Sequence, residues 1–252
     1  MLGNRNVILQ PRDLHLLRTV SLLRAIDRKQ ATIIGNFGSV TRVNATLLRL
    51  VAAKFLNRFF LGVGPGTQKA IYTITPKGAD VAEVPYRRLR RKVGALYSGD
   101  LFLEHQLLLN DLYLELISGN QATTHSWKTF EQPLPQSPVI PDAYFELVNG
   151  DSIKSVFLEV DRGTEPKKIW KKKVAGYLSF ALSGAFERNF KQAQFRVLII
   201  TTTEPKLKAI REVVASQTTK IFWLTTFSDI NREGIFAPIW LRPIGVERQS
   251  LL

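Results

Sequence analysis

Residues 195–203, FRVLIITTT, form a β-prone run with a continuous apolar centre, Val197 to Ile200. Through that centre the strand turns no polar face toward water, so it belongs in the middle of a sheet covered on both sides. That requirement already asks for helices packed against a sheet. A second run, VFLEVDRGTE at 156–165, begins the same way and ends differently. Its apolar start leads into Glu159 and Asp161, one residue apart. Positions i and i+2 of a strand point to one face, so the two carboxylates project together, about 6–7 Å apart along the chain. Two anions that close need a cation, a shared proton or open water.

The sequence around these runs is mixed. LFLEHQLLLNDLYLELIS predicts a well-buried helix, and HSWKTFE, VIPDAYFELVNG and KSVFLEVDRG predict strands. A helix follows over roughly 165–183, with Thr164 as its cap. After FRVLIITTT come a helix in KLKAIREVVAS and a last strand in KIFWLTT. The order α-β-β-β-α-β-α-β implies a central mixed sheet with flanking helices. It occupies a predicted domain over 100–252.

The first third reads differently. Pro11 and Asp13 open a helix expected to run to about Arg28, with Leu16, Val20 and Leu23 as its apolar stripe. A short glycine-broken segment, KQATIIGNFGS, leads into a longer helix in SVTRVNATLLRLVAAKFL, striped by Val40, Val43, Leu47 and Leu50. FFLGVGPGTQKAIYTIT is a hairpin around a Gly/Pro-rich turn. Thr75 caps a short helix with Pro76 at its first position. This is the order of a winged helix-turn-helix, predicted over 1–84, and YTITPKGADV resembles the end of the wing in such domains. A winged helix lays its recognition helix in the major groove. Thr41, Arg42, Asn44, Thr46 and Arg49 are its candidate DNA contacts, and Lys69 on the wing is a candidate for phosphate. GVGPGTQK lacks the order and the strand–loop–helix setting of a phosphate-binding loop. Residues 85–99 are a basic linker. Arg87, Arg88, Arg90, Arg91 and Lys92 either track phosphates there or are simply solvated.

Charge points the same way. Thirty-five Lys and Arg against 21 Asp and Glu give +14, which favours a polyanionic partner, double-stranded DNA above all. The absence of cysteine excludes disulfides and thiolate metal sites. No run of about 18 apolar residues and no secretory signal is visible, so the expected setting is cytoplasmic, without a membrane.

The carboxylates have company. Asp142 follows Pro141 at the start of one strand, and Lys173 and Tyr177 lie four apart on one helix face. Asp142 and Glu159 suit Mg²⁺, which takes one or two carboxylates and keeps several waters. A nearby lysine suits charge stabilisation on a phosphate. Pro141-Asp142, Glu159-Val160-Asp161 and Lys173-x-x-x-Tyr177 resemble the motifs of the PD-(D/E)XK nuclease superfamily, over about residues 100–226. The resemblance implies a restriction-endonuclease-like fold and a Mg²⁺ site at Asp142, Glu159 and Asp161. It adds Glu104, on the preceding helix, where some members place a further carboxylate. Asp161 stands where the superfamily has lysine. Either Lys173 takes that role from the helix, or Asp161 is a third ligand, or Asp161 pairs with Arg162 or a helix lysine and the site is inactive. The whole chain, from winged helix to EVDRGTE, resembles the plasmid replication-relaxation family. That resemblance implies an accessory or regulatory DNA-binding protein of a plasmid or other mobile element. The alternatives are a Mg²⁺-dependent endonuclease or nickase, and a protein-interaction subunit of a transposition or defence assembly. A homodimer and protein partners within a mobile-element complex are compatible with each.

Overall fold

The structure, a computed structural model, describes residues 8–64, 66–87, 89, 98–119 and 123–252. The chain divides into two compact units, residues 1–114 and 115–252.

The first unit holds α1 (Pro11–Leu23), β1 (Ile26–Asp27), α2 (Arg28–Ile34), α3 (Val40–Ala52), β2 (Leu56–Gly64), β3 (Thr67–Ile74), α4 (Pro76–Val81) and most of α5 (Ser98–Ser118). Its antiparallel sheet has the order β1-β3-β2. Leu16, Val20 and Leu23 of α1 meet Val43, Leu47 and Leu50 of α3 over Leu56, Tyr72 and Ile74. This is a winged helix-turn-helix, with α2 and α3 as the motif and β2–β3 as the wing. The Gly/Pro-rich stretch is the wing tip, where Gly66 takes a left-handed φ of 68° open to glycine without strain.

Three expectations shift. The first helix stops at Leu23, short of Arg28, because Asp27 starts a new helix. Its carboxylate accepts from Gln30 N at 2.8 Å, and the Gln30 side chain accepts from Asp27 N at 3.3 Å. That D-x-x-Q box satisfies two otherwise orphaned backbone donors. Val40 is 58% exposed, since Ser39 caps α3 there and the buried stripe starts a turn later. The expected boundary at residue 100 also moves, because α5 is tied to the winged helix by buried polar groups. Asn110 Nδ2 donates to Ala25 O at 2.6 Å, and Gln30 Nε2 donates to Leu107 O and Asp111 Oδ1, each at 2.8 Å.

The second unit is built on β4 (Thr123–Thr129), β5 (Ala143–Asn149), β6 (Ser152–Asp161), α6 (Lys167–Leu182), α7 (Ala185–Phe190), β7 (Phe195–Thr201), α8 (Glu204–Ala215), β8 (Phe222–Thr226), α9 (Phe227–Glu233), β9 (Trp240–Leu241) and β10 (Arg248–Gln249). The seven-stranded order is β10-β9-β8-β7-β6-β5-β4. β6, β7 and β8 run parallel at the centre, and the flanking pairs are antiparallel. The apolar run 195–203 thus supplies the middle strand. Its alternating faces, Val197 and Ile199 on one side and Leu198 and Ile200 on the other, are all fully buried. α6 and α8 pack side by side over one face, closing an aromatic core around Phe157, Tyr177, Phe180 and Phe195.

α6 begins at Lys167 with Pro166 as its N-cap residue, so Thr164 is not the cap. Proline drives the residue before it out of the helical region, which delays the helix. α6 also comes very close to the turn before β5. Ser137 Oγ donates to Gly176 O at 3.1 Å, and a Cβ on residue 176 would lie 2.4 Å from Val139 Cγ2. Alanine normally favours a helix over glycine by about 1 kcal/mol. Here Gly176→Ala should instead destabilise the protein by about 1–3 kcal/mol, the cost of overpacking, read as a lower urea midpoint.

Candidate functional site

The two carboxylates at the end of β6 do project together, and α6 receives both. Glu159 is fully buried. Its Oε1 accepts from the Tyr177 hydroxyl at 2.6 Å, and its Oε2 accepts from Lys173 Nζ at 2.9 Å. The same ammonium donates to Glu165 Oε1 at 2.9 Å and lies 5.0 Å from the Trp170 ring centroid. Asp161, 1% exposed, accepts from Trp170 Nε1 and from Gly163 N, each at 2.6 Å, with Lys206 Nζ at 3.5 Å. Asp142 Oδ2 accepts from Val160 N at 2.7 Å, at the mouth of the same cluster. Trp170, Lys173 and Tyr177 are spaced by three and four, one face of one helix.

Burial sets the electrostatics. Loss of water pushes the Glu159 carboxyl up, the Lys173 charge draws it down and Asp142 pushes it up again, and together they raise it to about 7. Burial opposes the Lys173 ammonium, but Glu159, Glu165 and Asp142 together outweigh that and hold it above its usual range. Burial, then the Glu159 charge, keeps the Tyr177 phenol protonated well past its ordinary value.

This donor set is a poor fit for Mg²⁺. Both Glu159 oxygens are engaged by Tyr177 and Lys173, and both Asp161 oxygens by Trp170 and Gly163. Among the described residues no group of three or more His, Cys, Asp or Glu is gathered as a metal site. A cation would have to displace the Lys173 ammonium. Glu104 lies on the part of α5 that belongs to the first unit, whereas Asp142, Glu159 and Asp161 belong to the second. Glu165 and Lys206 complete the cluster without having been expected. Glu165 sits in the GTE turn, and Lys206 arrives from α8, which no local pattern announces.

In the first unit, Thr41 and Arg42 are exposed at the start of α3, and Asn44 is half-buried beside them. Thr46 is 8% exposed, so its side chain offers little surface beside Thr41 and Arg42. Arg49 is committed to Asp13 at 2.7 Å, a brace between α3 and α1. Lys69 pairs with Asp27 at 3.0 Å while keeping 43% of its side chain exposed. A cleft of about 650 Å³ opens between α2, α3 and the wing, lined by Arg28, Lys29, Asn44, Arg58, Phe60 and Lys69 among others. Arg28, Lys29 and Arg58 escaped the sequence reading. Strand alternation places Arg58 and Phe60 on one wing face, with the guanidinium 5.4 Å from the ring centroid. Arg87 is exposed, and Arg88, Arg90, Arg91 and Lys92 lie outside the described residues. Among the described residues no helix is long and apolar enough to cross a membrane.

A winged helix-turn-helix followed by a mixed α/β unit, with an acid–lysine–tyrosine cluster at the end of a central parallel strand, defines a two-part class of protein. The replication-relaxation family model matches residues 14–194, and the chain belongs to that family. No curated protein matches it. Among solved structures it is similar, at 16% identity and a TM-score of 0.23, to one titled "Crystal structure of Bacillus subtilis PadR in complex with operator DNA", over 41% of this chain and 67% of that one.

The Glu159 shift has a measurable consequence. Its carboxyl moves from an ordinary 4.5 to about 7 on folding, so between those values the folded protein holds a proton that the unfolded chain has released. The Glu159 contribution to stability then falls as pH rises from about 4.5 through 7. Glu159→Gln should remove that component. Urea unfolding of wild type and variant at several pH values checks it: the stability difference should narrow, or reverse in favour of the variant, toward pH 7.

Proposed function

We propose that this protein is a DNA-binding accessory or regulatory protein of a plasmid or other mobile element, whose winged helix reads a duplex site. The observation that carries the reading is the exposed start of α3, Thr41 and Arg42 with Asn44, opening onto a cleft rimmed by Arg28, Lys29, Arg58 and Lys69. Arginine and asparagine pair bidentately with guanine and adenine edges, and the surrounding cations suit phosphates. The second unit acts as a nuclease-like module that adds grip. The lysines of α6 support this: Lys173 is absorbed by the carboxylates, while Lys168, Lys171 and Lys172 remain exposed.

A second reading, a PD-(D/E)XK-type nuclease, is favoured by one observation. Asp142, Glu159 and Lys173 act on one another electrostatically around a single strand end. In that reading Asp142, Glu159 and Asp161 would be the carboxylates that hold Mg²⁺, which would supply charge stabilisation at a phosphate.

Two measurements separate the readings. Selection of a preferred duplex from random sequence, followed by anisotropy titration, should show Arg42→Ala weakening that duplex by about 1–3 kcal/mol, with affinity falling steeply with salt. Unchanged affinity of the variant for every sequence would remove α3 as the reading element. Supercoiled plasmid with Mg²⁺ or Mn²⁺ should stay intact. Nicking by wild type that is lost in Asp142→Ala would establish the nuclease instead.

A further inference from the structure

At the other end of the central strands, roughly 16 Å back along β6 from Glu159 at about 3.3 Å per residue, three cations gather without a carboxylate. In the parallel register Val156 of β6 pairs with Arg196 of β7. Lys154, two residues before Val156, therefore shares a face with Arg196. Phe195, Val197, Phe222 and Leu224 pack into the core under α6 and α8, so alternation turns Arg196 and Trp223 to the opposite face. There the Arg196 Cζ lies 4.3 Å from the Trp223 ring centroid, and the Arg242 Cζ lies 5.4 Å from the same ring. Trp223 is itself only 6% exposed.

Backbone carbonyls take part of the donor capacity. Arg196 donates to Leu251 O at 3.1 Å, and Arg242 donates to Thr219 O at 3.2 Å. The Nε of Arg242 is buried with no hydrogen-bond partner. Among the described residues no carboxylate pairs with Lys154, Arg196 or Arg242. Burial, and next the Arg196 charge, lowers the Lys154 ammonium; burial, and next Arg242, lowers Arg196. Indole contacts ease the crowding of these charges. An orphaned buried donor among mutually repelling cations is nevertheless unfavourable in an empty site. An anion brought between them would relieve both. Planar guanidinium forks match a phosphate's oxygens in pairs, and the chain's +14 charge favours the anion carried by nucleic acid over one carried by an acidic protein.

We propose that Lys154, Arg196 and Arg242 form a phosphate-binding site for the backbone of duplex DNA, distinct from the α3 surface and from the Glu159 cluster. The site rests on the DNA-binding reading above and assigns the second unit its own point of grip. Each phosphate contact contributes about 0.9 to the slope of log affinity against log salt.

The experiment uses the full chain and a labelled duplex of random sequence, titrated by anisotropy across a salt series. Lys154→Gln breaks no hydrogen bond of the described structure, so it tests the site without threatening the fold. Arg242→Gln is the second variant, with thermal melting as its control. Each should weaken binding several-fold and lower the salt slope by about one. Slopes and affinities equal to wild type in both variants would overturn the proposal. So would loss of poly-glutamate binding with duplex binding intact, which would mark a docking point for an acidic protein. Arg42→Ala, run in parallel on the preferred duplex as well as on the random one, separates the two levels. If Arg42→Ala is silent on both duplexes while Lys154→Gln lowers the slope, the α3 reading fails and this site stands. If Arg42→Ala weakens binding while both second-unit variants are silent, this site fails and the α3 reading stands.

Discussion

A carboxylate with no access to water, at the end of a central strand, is the constraint on which the second unit is arranged. Glu159 cannot be left alone in that position, because an unpaired buried charge costs several kcal/mol. The remedy is one face of α6. Trp170, Lys173 and Tyr177 descend at helical spacing and give Asp161 and Glu159 the donors they need. That requirement fixes the rotation of α6 about its axis. Gly176, on the same helix, then lets it approach the Ser137–Val139 turn closely. The aromatic layer below, Phe157 against Tyr177 and Phe180, follows from the same docking.

The lysines of α6 show how folding sorts like residues into unlike roles. Lys173 is drawn into the cluster and shielded by two carboxylates. Lys168, Lys171 and Lys172, one to five residues away, stay in water. The winged helix sorts its own basic residues in the same manner. Arg49 braces α3 to Asp13, while Arg42, seven residues earlier, is exposed. A charge block in a sequence is therefore a supply of cations, and the fold decides which become mortar and which become surface.

The fold was legible where periodicity was long and unbroken. The continuous run 195–203 announced a doubly covered strand and proved to be the middle of seven. Leu16, Val20 and Leu23, at spacings of four and three, announced the buried face of α1. Thr75 with Pro76 announced α4 and its cap. Local chemistry that competes with periodicity was less visible. Asp27 interrupts the first helix with a capping box, and Pro166 delays α6 past Thr164.

The sequence by itself determined the main helices and strands, that Glu159 and Asp161 share a face, and that Lys173 and Tyr177 lie four apart on one helix; the short elements α7, α9, β1, β9 and β10 were not legible in it. Strand and helix periods are local and short, so residues a few apart carry that information. Only the tertiary structure decided the partners. That Glu159 meets Lys173 and Tyr177, that Asp161 is closed by an indole and by Lys206 from α8, and that Arg196 and Arg242 meet over Trp223 all depend on segments 9 to 46 residues apart. Which donor reaches a buried acid is set by helix docking and strand register, and these are settled by the packing of the whole core.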